Sequence, residues 1–202
     1  MDKVVIFGIG DNAELAKYYF ENDSKYEVVA FTVDKEYETN ELFHGLPVVS
    51  FENLEEYYSP EEVMLFIAIG YTNMNEIREI KYLDGKKRGY KFANYLSSRA
   101  NILTDKIGEN NFILEDNTIQ PYVEIGNNCF ITSHVVISGR CIIEDNCFLG
   151  VNCTIRDQTR IGYKSLIGAG AWISEDTEEY GVYLADVATK IKKKSTELKI
   201  SE

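Results

Sequence analysis

Histidine is the side chain that titrates near neutrality unaided, so it is the first group to consider for taking a proton from an attacking amine or hydroxyl. The chain has 2 histidines. His44, in Phe43-His44-Gly45-Leu46-Pro47, reads as a loop residue; His134 lies inside a region of strict periodicity and is the candidate base. A second kind of chemistry is suggested near the N-terminus. Gly8-Ile9-Gly10-Asp11-Asn12-Ala13 joins an apolar run to a helical one, and small residues there let backbone N–H groups at a helix N-terminus approach a phosphate. Asp34 ends the next apolar run, where a carboxylate can accept hydrogen bonds from a ribose or a base, and Gly70 and Tyr71 close the run Val63 to Ile69 on the same edge.

Two different scaffolds must hold these groups. Residues 3 to about 95 alternate strand and helix: strands at Lys3–Phe7, Glu27–Val33, Pro47–Ser50, Val63–Ile69 and Tyr90–Tyr95, helices at Ala13–Glu21 and Asn73–Lys87. That alternation predicts an α/β domain with a parallel sheet. From Ile107 to Ile173 a branched aliphatic residue returns at every sixth position, and two residues before each sits a compact or β-branched one. Six is a multiple of the strand period of two and not a helical period, so this is a repeat of short strands with both positions pointing inward. Such hexapeptide periodicity is the signature of a parallel β-helix, whose coils must stack to bury their interior. All four cysteines, Cys129, Cys141, Cys147 and Cys153, fall at inward positions and read as small buried hydrophobes.

The hexad run resembles the hexapeptide-repeat acyltransferases, and the turn Gly8 to Ala13 resembles the opening of a Rossmann-type nucleotide site, with Ala13 near the place of the usual third glycine. Together the likeness covers nearly the whole chain. It is similar to the sugar acetyltransferases that carry an N-terminal Rossmann-like nucleotide-sugar domain, the sialic acid O-acetyltransferase and bacillosamine N-acetyltransferase type. The resemblance implies a left-handed parallel β-helix of three hexads per coil, a homotrimer, and acetyl-CoA bound between subunits. It implies domains at 1–98 (nucleotide-sugar), 99–185 (β-helix) and a tail at 186–202.

With three hexads per coil, residues eighteen apart stack about 4.8 Å from one another. Asp116, His134, Asn152 and Gly170 then form one corner column. Asp116 is expected to orient the imidazole of His134, and a backbone N–H near Asn152 to stabilise the oxyanion. The smooth upper coils, Gly150, Gly168, Ala169 and Gly170, leave room for the pantetheine arm; the basic tail with Lys190 either faces the CoA phosphates or is a solvated terminal helix; and the resemblance implies that Gly8, Gly10, Asp11, Asp34, Gly70 and Tyr71 hold the nucleotide-sugar. Trp172 is expected beneath the C-terminal tail. In many relatives the catalytic histidine stands where this chain has Ile119-Gln120-Pro121-Tyr122, so that either the base has moved to His134 or bound water or the thiolate leaving group takes the proton. The outward column Phe112, Phe130, Phe148, Leu166 is a continuous apolar stripe and is expected between protomers, the alternative being packing against the chain's own N-terminal domain or C-terminal tail; the column Asn110, Asn128, Asn146, Lys164 is expected to serve tight turns.

A formal net charge of −12 argues against nucleic acid or an anionic membrane as partner. No leader or membrane-spanning run is apparent, which implies a cytoplasmic protein. The reading is an acetyl-CoA-dependent acetyltransferase acting on an amino or hydroxyl group of a nucleotide-linked sugar for surface glycan assembly. The alternatives are O-acetylation of a free sugar or sialic acid, and a non-catalytic nucleotide-sugar binding protein. A zinc enzyme on this scaffold would need about three histidine ligands, and the repeat has one.

Overall fold

The computed structural model of the chain describes residues 2–39, 42–70, 75–190, 192 and 194. Strands β1 (Asp2–Phe7), β2 (Tyr26–Val33), β3 (Val48–Ser50), β4 (Val63–Ile67) and β5 (Lys91–Phe92) form one parallel sheet in the order β3-β2-β1-β4-β5. Helix α1 (Asp11–Asn22) crosses from β1 to β2, the single turn α2 (Leu54–Tyr57) precedes β4, and α3 (Glu76–Lys87) crosses from β4 to β5. The strand order reverses between β1 and β4, so the crevice at their carboxyl ends is the switch point where such sheets bind ligands. Among the described residues no helix is long and apolar enough to cross a membrane.

The expected last strand, Tyr90 to Tyr95, divides. Lys91–Phe92 completes the α/β sheet, while Tyr95–Leu96 (β6) pairs with Phe112–Ile113 as the first rung of the β-helix. The stretch Leu96 to Asp105, which precedes the hexad run, is itself a coil, because Asn101–Ile102 (β7) pairs with Thr118–Ile119. From Phe112 to Trp172 the rungs pair at a spacing of eighteen positions, as in Phe130↔Phe148, Val136↔Thr154 and Ile142↔Arg160. Three parallel sheets result, and the inward series Ile113, Ile119, Ile125 through Ile173 fills the prism with the four cysteines. Those cysteines are free and buried, and burial pushes the Cys153 thiol up to about 12. Inward asparagines at the base are satisfied: Asn111 accepts from Cys129 N–H at 2.8 Å and Asn117 from Val135 N–H at 2.6 Å. Val182–Tyr183 adds a final rung over Leu166–Ile167.

The aromatic stripe is not an interface between protomers. Phe112 and Phe130 are buried in one cluster with Val4, Ile6, Ala16, Phe20, Phe66 and Tyr95 of the α/β domain. Phe112 lies 5.4 Å edge-on from both Phe66 and Tyr95, and Phe130 continues the stack toward Phe148 at 5.5 Å. The periodicity locates an apolar face but carries no information about what covers it, and here the chain's own sheet does.

Candidate functional site

All four members of the expected corner column adopt a left-handed backbone, with φ of 58° at Asp116, 60° at His134, 60° at Asn152 and 70° at Gly170. The stacking arithmetic therefore holds. His134 projects into solvent, its Nε2 3.7 Å from Asp116 Oδ2 on the coil below. That is an ion-pair distance, too long for a hydrogen bond. The Asp116 carboxylate is engaged instead by Arg99, whose Nη2 donates to Oδ1 at 3.0 Å and Oδ2 at 2.7 Å. One expectation fails at this corner. The Asn152 N–H donates to Ser133 O at 3.1 Å and the Gly170 N–H to Val151 O at 2.8 Å, so neither is free for an oxyanion. Coil-to-coil hydrogen bonding consumes those corner donors.

Beside the column runs a second polar chain. Glu115 accepts from the Tyr19 hydroxyl at 2.6 Å and the Ser133 hydroxyl at 2.8 Å. Burial alone would raise the Glu115 carboxyl, but these two hydroxyls and the nearby Arg99 charge outweigh it and hold the group below the usual carboxylate range. The Tyr19 phenol is pushed up to about 12 by burial and by its Glu115 partner. Tyr19, Arg99 and Glu115 line a hollow of about 350 Å³ between α1 and the lowest coils. None of Arg99, Glu115, Tyr19 or Ser133 stands out in the sequence. Glu115 and Ser133 are eighteen apart, a signal that was available; Arg99 needs the extra coil below Ile107.

At the sheet's switch point, Gly10, Asp11, Asn12, Ala68, Ile69 and Gly70 line a crevice of about 390 Å³. Gly8 has φ 119°, and a Cβ there would stand 3.2 Å from Ala68 O, so glycine is required for the approach of the two strand ends. Its N–H is taken by Thr32 O at 2.8 Å. Gly10 is the extended residue that begins α1, with open space around it. Asp34 stands where expected, after β2, but its carboxylate is ion-paired with Lys81 of α3, whose ammonium also lies 5.5 Å from the Phe7 ring. Tyr71 lies outside the described residues. His44 is a left-handed loop residue, 3.6 Å from Glu14.

The upper coils divide the expected acyl-donor residues. A Cβ at Gly150 would stand 2.7 Å from Ala169 N, and one at Gly168 would stand 2.8 Å from Leu184 Cδ2. Both glycines are buried and serve close coil stacking; they do not open a channel. Ala169 and Gly170 are exposed, with nothing within 4 Å of a Cβ at Gly170, so of the four expected acyl-donor positions in the upper coils these two face open space. Lys190 is exposed on the tail, of which residues 191, 193 and 195–202 lie outside the described residues. Trp172, expected under that tail, is 69% exposed on the second face and lines a hollow with Val182 to Asp186. No group of three metal-ligating side chains occurs among the described residues.

The opposite corner is more than turns. Asn110, Asn128 and Asn146 have φ of 57°, 60° and 62°, as expected, and their amides also link end to end. Asn110 Nδ2 donates to Asn128 Oδ1 at 2.5 Å and Asn128 Nδ2 to Asn146 Oδ1 at 2.6 Å. The ladder is tied to the α/β domain at both ends: Ile67 N–H donates to Asn110 Oδ1 at 2.8 Å, and Asn146 Nδ2 donates to Glu79 Oε1 at 3.0 Å. Glu79 also pairs with Lys164 at 2.6 Å. Arg78, 1% exposed, donates to Ile67 O and Asn110 O and leaves Nε without a partner. Burial pushes it down to about 10.

Comparison with known proteins agrees with this architecture. Residues 3–83 match the PglD N-terminal domain, residues 106–139 the bacterial transferase hexapeptide (six repeats), and residues 140–175 the hexapeptide repeat of succinyl-transferase. No curated protein matches the sequence. Among solved structures, the acetyltransferase domain of PglB from Neisseria gonorrhoeae is 18% identical with a TM-score of 0.72, over 95% of this chain and 100% of that one. A mutant of perosamine N-acetyltransferase from Caulobacter crescentus, in complex with CoA and GDP-perosamine, is 19% identical with a TM-score of 0.70, over 92% and 94%. WeeI from Acinetobacter baumannii is 19% identical with a TM-score of 0.55, over 91% and 94%. At these identities the likeness speaks for the fold, an α/β domain followed by a left-handed parallel β-helix. With the α/β domain and the hexads each matched by its own model, the chain joins a PglD-type N-terminal domain to a run of bacterial transferase hexapeptide repeats.

Proposed function

We propose that the chain moves an acetyl group from acetyl-CoA to an amino or hydroxyl group of a nucleotide-linked sugar, in the cytoplasm, for surface glycan assembly. The observation that carries this reading is the placement of α1. Its first residues line the switch-point crevice, and Tyr19 near its other end holds Glu115, the neighbour of Asp116 at the His134 corner. One helix thus spans a nucleotide-type crevice and an exposed imidazole–carboxylate pair. The perosamine enzyme described with CoA and GDP-perosamine supports the same pairing of substrates.

The residues divide the work as follows. His134 accepts the proton that the sugar amine or hydroxyl loses as it attacks the thioester, and the Asp116 charge opposes the imidazolium that forms. With the corner N–H groups committed, the exposed side-chain amide of Asn152, one coil above His134, is the donor left for the developing oxyanion. The thiolate leaves toward Ala169 and Gly170. The nucleotide lies at Gly10, Asp11 and Gly70, with Asp34 as a further contact, and with Tyr71, which is outside the described residues, as another; Lys190 faces the CoA phosphates. The assembly is a homotrimer formed through the outward face that carries Thr118, Val136, Thr154 and Trp172, of which the first three are half-buried and the last is exposed.

Thermal stabilisation tests this directly, since a ligand of the native state raises its apparent stability. Shifts with acetyl-CoA and with one member of a panel of UDP-, GDP- and dTDP-sugars are expected. A shift with nucleotide-sugar alone removes the transferase reading, and a monomer by sedimentation removes the trimer.

A further inference from the structure

We propose that Arg99 is a positioning residue for the transfer, one that acts on His134 only through Asp116; this rests on the reading of His134 as the base. Arg99 follows the corner of the coil below Asp116, so Arg99, Asp116 and His134 climb successive coils in the order cation, anion, imidazole. Asp116 sits on a left-handed corner with its side chain one-third exposed, and no other group among the described residues pins its carboxylate. Without Arg99 the carboxylate has free rotamers and water to point at. With it, both oxygens are fixed and Oδ2 is held 3.7 Å from His134 Nε2.

Arg99 is in turn placed by the α/β domain. Asp23, at the C-terminal end of α1, accepts from the Tyr95 hydroxyl at 2.7 Å, the Ser98 N–H at 3.0 Å and the Ser97 hydroxyl at 3.1 Å, and Ser97 Oγ accepts the Arg99 N–H at 3.2 Å. Burial alone would raise the Asp23 carboxyl, but these donors hold it below the usual range, so it is an anion around which the lowest corner is wound. The chain from α1 to His134 is therefore continuous: Asp23, the 97–99 turn, the Arg99 guanidinium, the Asp116 carboxylate, the imidazole. The other charged group facing Arg99 is Glu115, whose oxygens are already held by Tyr19 and Ser133. Arg99 is thus left to serve Asp116.

The test is a double-mutant cycle read two ways. Arg99→Gln is expected to lower kcat on the order of tenfold while leaving KM for both substrates within about twofold, as misplacement of a partner in the transition state does. Arg99→Lys keeps the charge and is expected to recover kcat to within about threefold. Arg99→Gln combined with Asp116→Asn is expected to be no slower than Asp116→Asn alone. Independently of turnover, the His134 imidazole proton signal, one of two histidine signals in the chain, is expected to move in Arg99→Gln and to take one shared position in Asp116→Asn and the double variant. An unmoved signal in Arg99→Gln, an effect confined to KM, or full additivity with Asp116→Asn would overturn the proposal. If His134→Ala keeps its turnover, the base assignment falls by itself, and the imidazole signal still decides the Arg99 clamp.

Discussion

Two corners of the β-helix share one backbone conformation and end in opposite chemistry. Along Asn110, Asn128 and Asn146 the left-handed residues face α3, water is excluded, and every amide is passed to the next coil or to the α/β domain. Along Asp116, His134 and Asn152 the same geometry faces solvent, and side chains are left to act on something outside the chain. The corner geometry sets which residues are tolerated, while the covering element sets what they do. A covered corner must be satisfied internally, since a buried polar group without a partner costs about 1–3 kcal/mol.

The sharpest break in the comparison is catalytic. His134→Ala is expected to lower turnover about 10²- to 10⁴-fold, the usual worth of a general base, with urea stability lowered by no more than about 1 kcal/mol, the cost of alanine on its exposed left-handed corner. Next comes the buried corner. Asn128→Ala orphans the Asn110 amide and the Asn146 carbonyl and should cost about 3–5 kcal/mol in urea unfolding, whereas Asn152→Ala should cost about 1 kcal/mol from the left-handed backbone alone. Equal losses at the two sites would erase the distinction drawn here. In the upper coils, Gly150→Ala should cost about 1–3 kcal/mol by overpacking against Ala169, while Gly170→Ala, facing open space, should cost about 1 kcal/mol for its backbone and should lower affinity for acetyl-CoA. The smallest effect is in acid. Burial alone would raise the Glu79 carboxyl, but Lys164, Tyr163 and Asn146 hold it below its ordinary value, so the unfolded chain binds protons more readily. That contribution to stability is complete above the unfolded carboxylate value of about 4.3 and is lost as pH falls through it toward the lowered folded value. A pH series of urea midpoints should therefore fall less steeply below that value for Glu79→Gln than for the parent.

Most of the β-helix was legible in the hexads, because a period of six leaves no choice about which residues point inward. The corner columns followed from stacking, and Asp116 under His134 is where the arithmetic put it. What escaped is what one surface does to another. The stripe Phe112, Phe130, Phe148 announced burial without naming its partner. Helix α3 misleads more strongly: Ile77, Ile80 and Leu83 are 48%, 49% and 47% exposed while Arg78 is buried. Apolar residues on that helix point outward because its other face meets the asparagine ladder, and no local pattern announces such a demand. Gly150 and Gly168 were read as room for a ligand, yet a glycine also stands where another backbone comes closest, and sequence does not separate the two.

Because the first rung, Tyr95–Leu96, begins almost directly after β5, the α/β domain runs straight into the solenoid's first coil and covers its aromatic flank. Stacked-repeat folds need a terminal unit that stops further stacking and hides the last apolar surface. Cutting this chain near residue 98 to isolate the transferase half would remove β6, uncover the edge of Phe112–Ile113 and bare the aromatic column at once. The fragment would present both an open strand and a greasy flank, the combination that drives edge-to-edge fibre growth. Anyone exchanging N-terminal domains among proteins of this architecture would have to transplant the domain with its matching column, because here one domain both forms the switch-point crevice and covers the flank of the repeat.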